Sequence, residues 1–77
     1  MRTIKILGTG CPKCEQLAKN AAQAVHQLGL QAEIVKVSKI QEILEYGIMM
    51  TPGLVIDGQV KSAGKVPSVD EIRAMLA

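Results

Sequence analysis

The spacing of hydrophobic residues changes several times along the chain. "TIKIL" alternates apolar and polar positions and is followed by "GTG", which predicts a first strand and a turn. From Cys14 to Leu28 the apolar residues recur every three or four positions, and Gly29 stands where a helix would end. "AEIVKV" is rich in β-branched residues and predicts a second strand. Two strands joined by a helix form a βαβ unit, so these strands should be parallel.

A second, shorter helix is predicted in "SKIQEILEYG". Ser38 and Gln41 have the spacing of a capping box, and Gly47 is placed to end the helix. We expect its apolar stripe to be ordinary core, as in the other helices. The stripe consists of Ile40, Ile43 and Leu44.

The last third of the chain predicts a hairpin and a closing helix. The apolar run "LVI" predicts a short buried strand, and Asp57-Gly58 after it is the strongest short hairpin signal. "QVKSA" should then return as an antiparallel strand. Ser68 and Glu71 form a further capping box, which begins an amphipathic helix.

The predicted order is therefore βαβαββα, an α/β architecture in which three helices flank a four-stranded mixed sheet. The chain of 77 residues should be one domain, residues 1–77, because a chain this short does not support two cores. Its core should be aliphatic, since Tyr46 is the only aromatic residue.

Composition and charge argue against some functions. The formal net charge is only +2, the lysines are scattered, and Phe and Trp for base stacking are absent, so we expect no nucleic-acid partner. "MRTIKIL" lacks the features of a secretory signal, and no run approaches the roughly 18 apolar residues of a membrane span. We therefore expect a cytoplasmic protein without a membrane partner. In that compartment a close cysteine pair is more often catalytic or metal-binding than a structural disulfide.

The chain has two cysteines, and both lie where the first strand gives way to the first helix. Pro12 suits the first helical position, which makes Cys11 the expected N-cap. A sulfur there faces free backbone N–H groups and the positive end of the helix dipole, so the pKa of Cys11 should fall below the ~8.5 of a free cysteine. Cys11 is thus the predicted nucleophile, and the less exposed Cys14 is the predicted resolving thiol. Lys13 should point mainly to solvent.

With these motifs in place, the sequence resembles the thioredoxin-like superfamily, most closely its small, glutaredoxin-sized redox-active disulfide proteins. The matching features are Cys11-Pro12-Lys13-Cys14 after the first strand, Thr51-Pro52 before the third, and the hairpin and Gly64 that follow. The resemblance implies a minimal thioredoxin fold and a thiol–disulfide oxidoreductase. Its redox-active group would be the Cys11–Cys14 disulfide, with no separate cofactor and no metal.

The resemblance also implies a site around the cysteines and a set of partners. It implies a cis peptide bond at Thr51-Pro52, with that loop packed against the Cys pair. We expect protein or low-molecular-weight disulfide substrates, a reductase that recycles the pair, and a monomer. Two positions depart from the pattern of ordinary thioredoxins. Gly10 stands where they have Trp before the motif, and no acid near Lys5 corresponds to the buried acid on their incoming strand. The implied substrate-binding residues are Pro12, Lys13, Met50, Thr51 and Pro52.

Two other functions remain open from the residues alone. A soft-metal carrier could bind Cu(I) or Zn through the same Cys pair, although His26, expected to be an exposed helix residue, is the one further candidate of the usual ligand types. A non-catalytic interaction module is suggested by "GIMM", where Met49 and Met50 could form a soft exposed patch.

Overall fold

The computed structural model describes residues 2–77, which form three helices and one four-stranded sheet. The element order is the predicted βαβαββα, so the expected fold class is confirmed. The elements are β1 (Arg2–Leu7), α1 (Pro12–Leu28), β2 (Ala32–Val37), α2 (Ile40–Glu45), β3 (Gly53–Ile56), β4 (Gln59–Ala63) and α3 (Val69–Leu76).

The strands lie in the order β2-β1-β3-β4. β1 and β2 are parallel, as a βαβ unit requires, while β3 is antiparallel to both β1 and β4. Leu7, the last residue of β1, pairs with Gly53, the first residue of β3. The loop that follows β1 and the loop that precedes β3 therefore meet at one edge of the sheet.

Alternation along the central strands divides the core into two layers. Ile4 and Ile6 pack in one cluster with Leu17 of α1 and Ile72 of α3. The other face of the sheet carries a smaller cluster that includes Ile43 of α2. Its buried members are Leu7, Val37, Ile43, Ile48 and Val55. α1 and α3 thus cover one face of the sheet, and α2 covers the other.

The β3–β4 hairpin forms as predicted. Asp57 and Gly58 both have positive φ, 50° and 84°, as a tight two-residue turn requires. The Asp57 carboxylate accepts hydrogen bonds from the Thr3 backbone N–H at 3.1 Å and from Arg2 Nε at 3.0 Å. Arg2 also donates to the Leu76 carbonyl, so one cluster joins β1, the hairpin and the end of α3.

The predicted capping box of α3 is also confirmed. Ser68 Oγ accepts from the Glu71 backbone N–H at 3.1 Å, and the Glu71 carboxylate accepts from the Ser68 N–H at 3.0 Å. Among the described helices, α1 is the longest at 17 residues, and none has both the length and the apolar character needed to cross a bilayer.

Two predictions about α2 are wrong. Lys39 is its N-cap, and no side chain caps the helix, because Ser38 lies one residue too early, in the extended segment that leaves β2. Ile40 and Leu44 are 63% and 58% exposed, so they are not core. The side of α2 that meets the sheet runs through Ile43 and Tyr46, three residues apart, and the other two apolar residues fall outside it.

Candidate active site

The two cysteines lie at the start of α1, as the sequence predicts. Cys11 is the N-cap, with extended backbone angles (φ −71°, ψ 162°), and Pro12 occupies the first turn. The Cys11 carbonyl accepts from the Glu15 N–H at 3.1 Å, which closes the first helical turn. Residues three apart on a helix share a face, and the Cys11 and Cys14 sulfurs lie 2.8 Å apart as free thiols.

The two thiols differ in their access to solvent. Cys11 is half-buried, whereas Cys14 is only 5% exposed and lies at the start of the buried stripe of α1. Pro12 and Lys13, between them, are exposed. A large substrate can therefore reach the Cys11 sulfur more readily than the Cys14 sulfur.

The pKa of Cys11 is lowered, as predicted, although the main cause is different. The hydrogen bond with the Cys14 thiol lowers it most, followed by the backbone N–H of Cys14, and the N–H of Lys13 contributes less. The backbone N–H groups of the first turn therefore lower this pKa as predicted, but they are not its largest cause. The neighbouring sulfur is the largest contributor.

The pKa of Cys14 moves in the opposite direction. Burial raises the pKa of this thiol, and the hydrogen bond with the Cys11 sulfur raises it further. The pair is therefore polarised, with the negative charge favoured on Cys11 and the proton favoured on Cys14. This division of charge suits a thiolate nucleophile beside a protonated partner.

Gly8 is a site residue that the sequence reasoning missed. It is buried just beyond β1, and its N–H donates to the Val37 carbonyl at 2.9 Å. A Cβ atom at this position would overlap the Cys14 sulfur. Gly8 thus leaves the space that the Cys14 sulfur fills. From the sequence, "GTG" indicated only a turn and gave no sign of this packing.

The loop before β3 carries the other predicted site residues. The Thr51-Pro52 peptide bond is cis, as the resemblance implied. Pro52 is buried and its carbonyl accepts from the Gly64 N–H at 2.8 Å, while Thr51 is exposed and Met50 is 65% exposed. Gly64 has a positive φ of 76° and lies against the Met50 side chain, so a Cβ there would come within 3.1 Å of it. The pairing of β1 with β3 brings this loop to the same sheet edge as the cysteines.

The part of the chain that the structure describes adds no His or carboxylate cluster to the Cys pair for a soft-metal carrier. Among residues 2–77, no group of three or more His, Cys, Asp or Glu side chains is placed to hold a metal ion. His26 is exposed in the last turn of α1, about 18 Å along the helix from Cys14 at 1.5 Å per residue.

Known proteins are similar to this chain over nearly its whole length. A family described as "Thioredoxin domain" matches residues 2–77. A protein named "Thioredoxin" from Methanothermobacter thermautotrophicus is 46% identical over 77 residues, which cover both chains completely. A second "Thioredoxin", from Methanocaldococcus jannaschii, is 49% identical over 76 residues, covering 99% of this chain and 87% of the relative. The polarised cysteine pair, the fold and these matches agree: the chain belongs to the thioredoxin family of thiol–disulfide oxidoreductases.

Proposed function

We propose that Cys11 is the attacking thiol of this oxidoreductase and that Cys14 is the resolving thiol. The observation that carries the proposal is the pair of sulfurs 2.8 Å apart, whose pKa values are displaced in opposite directions. Burial supports the same assignment, because Cys11 is the more accessible of the two.

In the reducing direction, the Cys11 thiolate attacks a substrate disulfide and forms a mixed disulfide, while one substrate sulfur leaves as a thiolate. Cys14 then attacks the Cys11 sulfur, releases the second substrate thiolate and leaves a Cys11–Cys14 disulfide. Electrons pass only between sulfur atoms, so the electron transfer uses no separate redox cofactor. A reductase that returns two electrons to the disulfide would complete the cycle.

We also propose that the exposed surface beside Cys11 binds the substrate. Pro12 and Lys13 are exposed in the first turn of α1, and Met50 and Thr51 are exposed on the loop that reaches the same sheet edge. Pro52 is buried and would hold that loop in place rather than offer a large contact area. An extended segment of a substrate protein could add to this loop as a short strand.

The expected substrates are disulfides of proteins, because both named relatives are thioredoxins and the apolar surface at Met49 and Met50 offers area for polypeptide contact. Low-molecular-weight disulfides are smaller molecules that could also reach the half-buried Cys11. We propose that the chain is one domain, residues 1–77, since the family match spans residues 2–77. We also propose that it acts as a monomer.

Single substitutions of the two cysteines test the assigned roles. Cys11→Ser should abolish disulfide reduction, because no thiolate remains to attack, whereas Cys14→Ser should accumulate a mixed disulfide that is visible by mass spectrometry under non-reducing conditions. As a control, iodoacetamide near pH 7 should label Cys11 of the unaltered protein well before Cys14. Equal, slow labelling of both thiols, or a Cys14→Ser variant that traps no substrate, would contradict the assignment.

A further inference from the structure

A cavity of about 220 Å³ reaches Cys14 from a side that the proposed substrate surface does not use. Cys11 and the Met50–Pro52 loop do not border it. The cavity is lined by Ile6, Gly8, Thr9, Gly10, Cys14, Glu15, Lys36 and Ser38. Its volume exceeds what several water molecules need, and it has polar groups that could bind them.

The cavity could serve as a route for a proton. Cys14 must lose its proton when it attacks the mixed disulfide. Cys14 is 5% exposed, and a substrate bound to Cys11 would cover the open side of the pair. The cavity then gives water and a proton acceptor access to the Cys14 sulfur.

Glu15 is the only carboxylate that lines this cavity, and it follows Cys14 directly in α1. From β2, Lys36 contributes the other charged group of the lining. The remaining titratable group beside Cys14 is Cys11 itself. Lys5 of β1 is engaged elsewhere, since its Nζ donates to the Tyr46 hydroxyl at 2.8 Å on the α2 side of the sheet.

We propose that Glu15 accepts the Cys14 proton through water in this cavity during the resolving step. The inference rests on the roles assigned to Cys11 and Cys14 above. In the resolving step, the Cys14 S–H bond breaks and its proton passes through water to the Glu15 carboxylate. The Cys14 sulfur bonds to the Cys11 sulfur, and the substrate sulfur leaves with the electron pair of the broken mixed disulfide.

The two steps can be observed separately with 5,5′-dithiobis(2-nitrobenzoate). Attack by Cys11 releases the first thionitrobenzoate, and attack by Cys14 on the mixed disulfide releases the second. Glu15→Gln should slow the second release about tenfold at pH 7, which is less than the roughly 10²- to 10⁴-fold effects of a directly positioned acid or base, because the proton passes through water. The first release should change by less than about twofold, because the effect of an exposed charge is small.

Further readouts separate proton transfer from a structural effect. Glu15→Asp should retain most of the second-phase rate, and formate should partly restore the rate of Glu15→Ala. The difference from the unaltered protein should vanish at high pH, where the Cys14 thiol ionises without help. Glu33→Gln, which removes an exposed carboxylate from β2, is the matched control and should leave both phases unchanged.

The outcomes distinguish this inference from the proposed function. An unchanged second phase in Glu15→Gln, or a slow phase that persists at high pH and ignores formate, would overturn the role of Glu15 alone. A first release that survives Cys11→Ser would instead overturn the assignment of the nucleophile, on which the inference depends.

Discussion

At the scale of single residues, the site depends on Gly8 having no side chain. The Cys14 sulfur occupies the space above Gly8 that a side chain would otherwise fill. That position keeps Cys14 buried and within 2.8 Å of Cys11, and the hydrogen bond between them is the main cause of the lowered Cys11 pKa. The reactivity of Cys11 is therefore coupled to a residue that carries no functional group.

Gly8→Ala should displace Cys14 and weaken the pair. We expect a loss of about 1–3 kcal/mol in the free energy of unfolding, as for other overpacked sites, together with a slower second thionitrobenzoate release. Urea denaturation and the two-phase assay measure these effects. Gln23→Ala is the control, because Gln23 is exposed on α1 and does not line the cavity beside Cys14. Equal stability and equal second-phase rates in both variants would contradict this prediction, because they would show that the Cys14 sulfur can move aside without cost.

Side-chain contacts also explain which site residues could be found from the sequence. Cys11, Cys14 and the Thr51-Pro52 pair carry a recognisable chemical pattern, so they could be predicted before the fold was known. The role of Gly8 depends on the packing of one sulfur across a loop, which no local pattern encodes. The order of causes behind the Cys11 pKa required the same information, because it depends on the distance between the two sulfurs.

At the scale of the elements, local signals succeeded for β2 and β4 and for the helix whose capping box is complete. β2 and β4 have the predicted bounds, and the α3 capping box forms with both of its hydrogen bonds. α2 is different because it has only six residues and no side-chain cap. Packing against the sheet through Ile43 decides its orientation, and that leaves two of its three predicted core residues exposed.

The two serines that precede helices make a direct test of this difference. Ser68→Ala should cost about 1 kcal/mol of unfolding free energy, because it removes the acceptor of the Glu71 N–H. Ser38→Ala should change stability by less than about 0.5 kcal/mol, since Ser38 caps no helix. Chemical denaturation of both variants compares them. Equal losses would mean that Ser38 also stabilises its helix.

At the scale of the whole molecule, function and stabilisation lie at opposite ends of the sheet. The cysteines and the Met50–Pro52 loop follow β1 and precede β3, whereas the Arg2–Asp57 ion pair joins the other ends of those strands. The pKa of Asp57 is lowered, first by the hydrogen bond from the Thr3 N–H and then by Arg2. Protonation of this carboxyl should therefore loosen the end of the molecule that is remote from the site.

The pH dependence of stability follows from that lowered pKa. Asp57 stabilises the fold above its unfolded pKa of about 3.9, and the contribution is lost as the pH falls through the lower folded value. Asp57→Asn should be less stable than the unaltered protein at pH 7, and the difference should shrink in acid and disappear below the folded pKa. Thermal unfolding between pH 7 and pH 2 measures this. Asp70→Asn is the control, because Asp70 has an 89% exposed side chain. A constant gap between the Asp57→Asn variant and the unaltered protein at every pH would contradict the linkage.

The contact between Lys5 and Tyr46 also has an optical consequence. Tyr46 is the only aromatic side chain of the chain, and it lies at the end of α2 with the Lys5 ammonium 5.5 Å from its ring centroid. Ultraviolet emission from this protein therefore originates in one phenol at one known place. A change in that emission during denaturation or complex formation would report the detachment of a single short helix from the sheet, without interference from any second fluorophore.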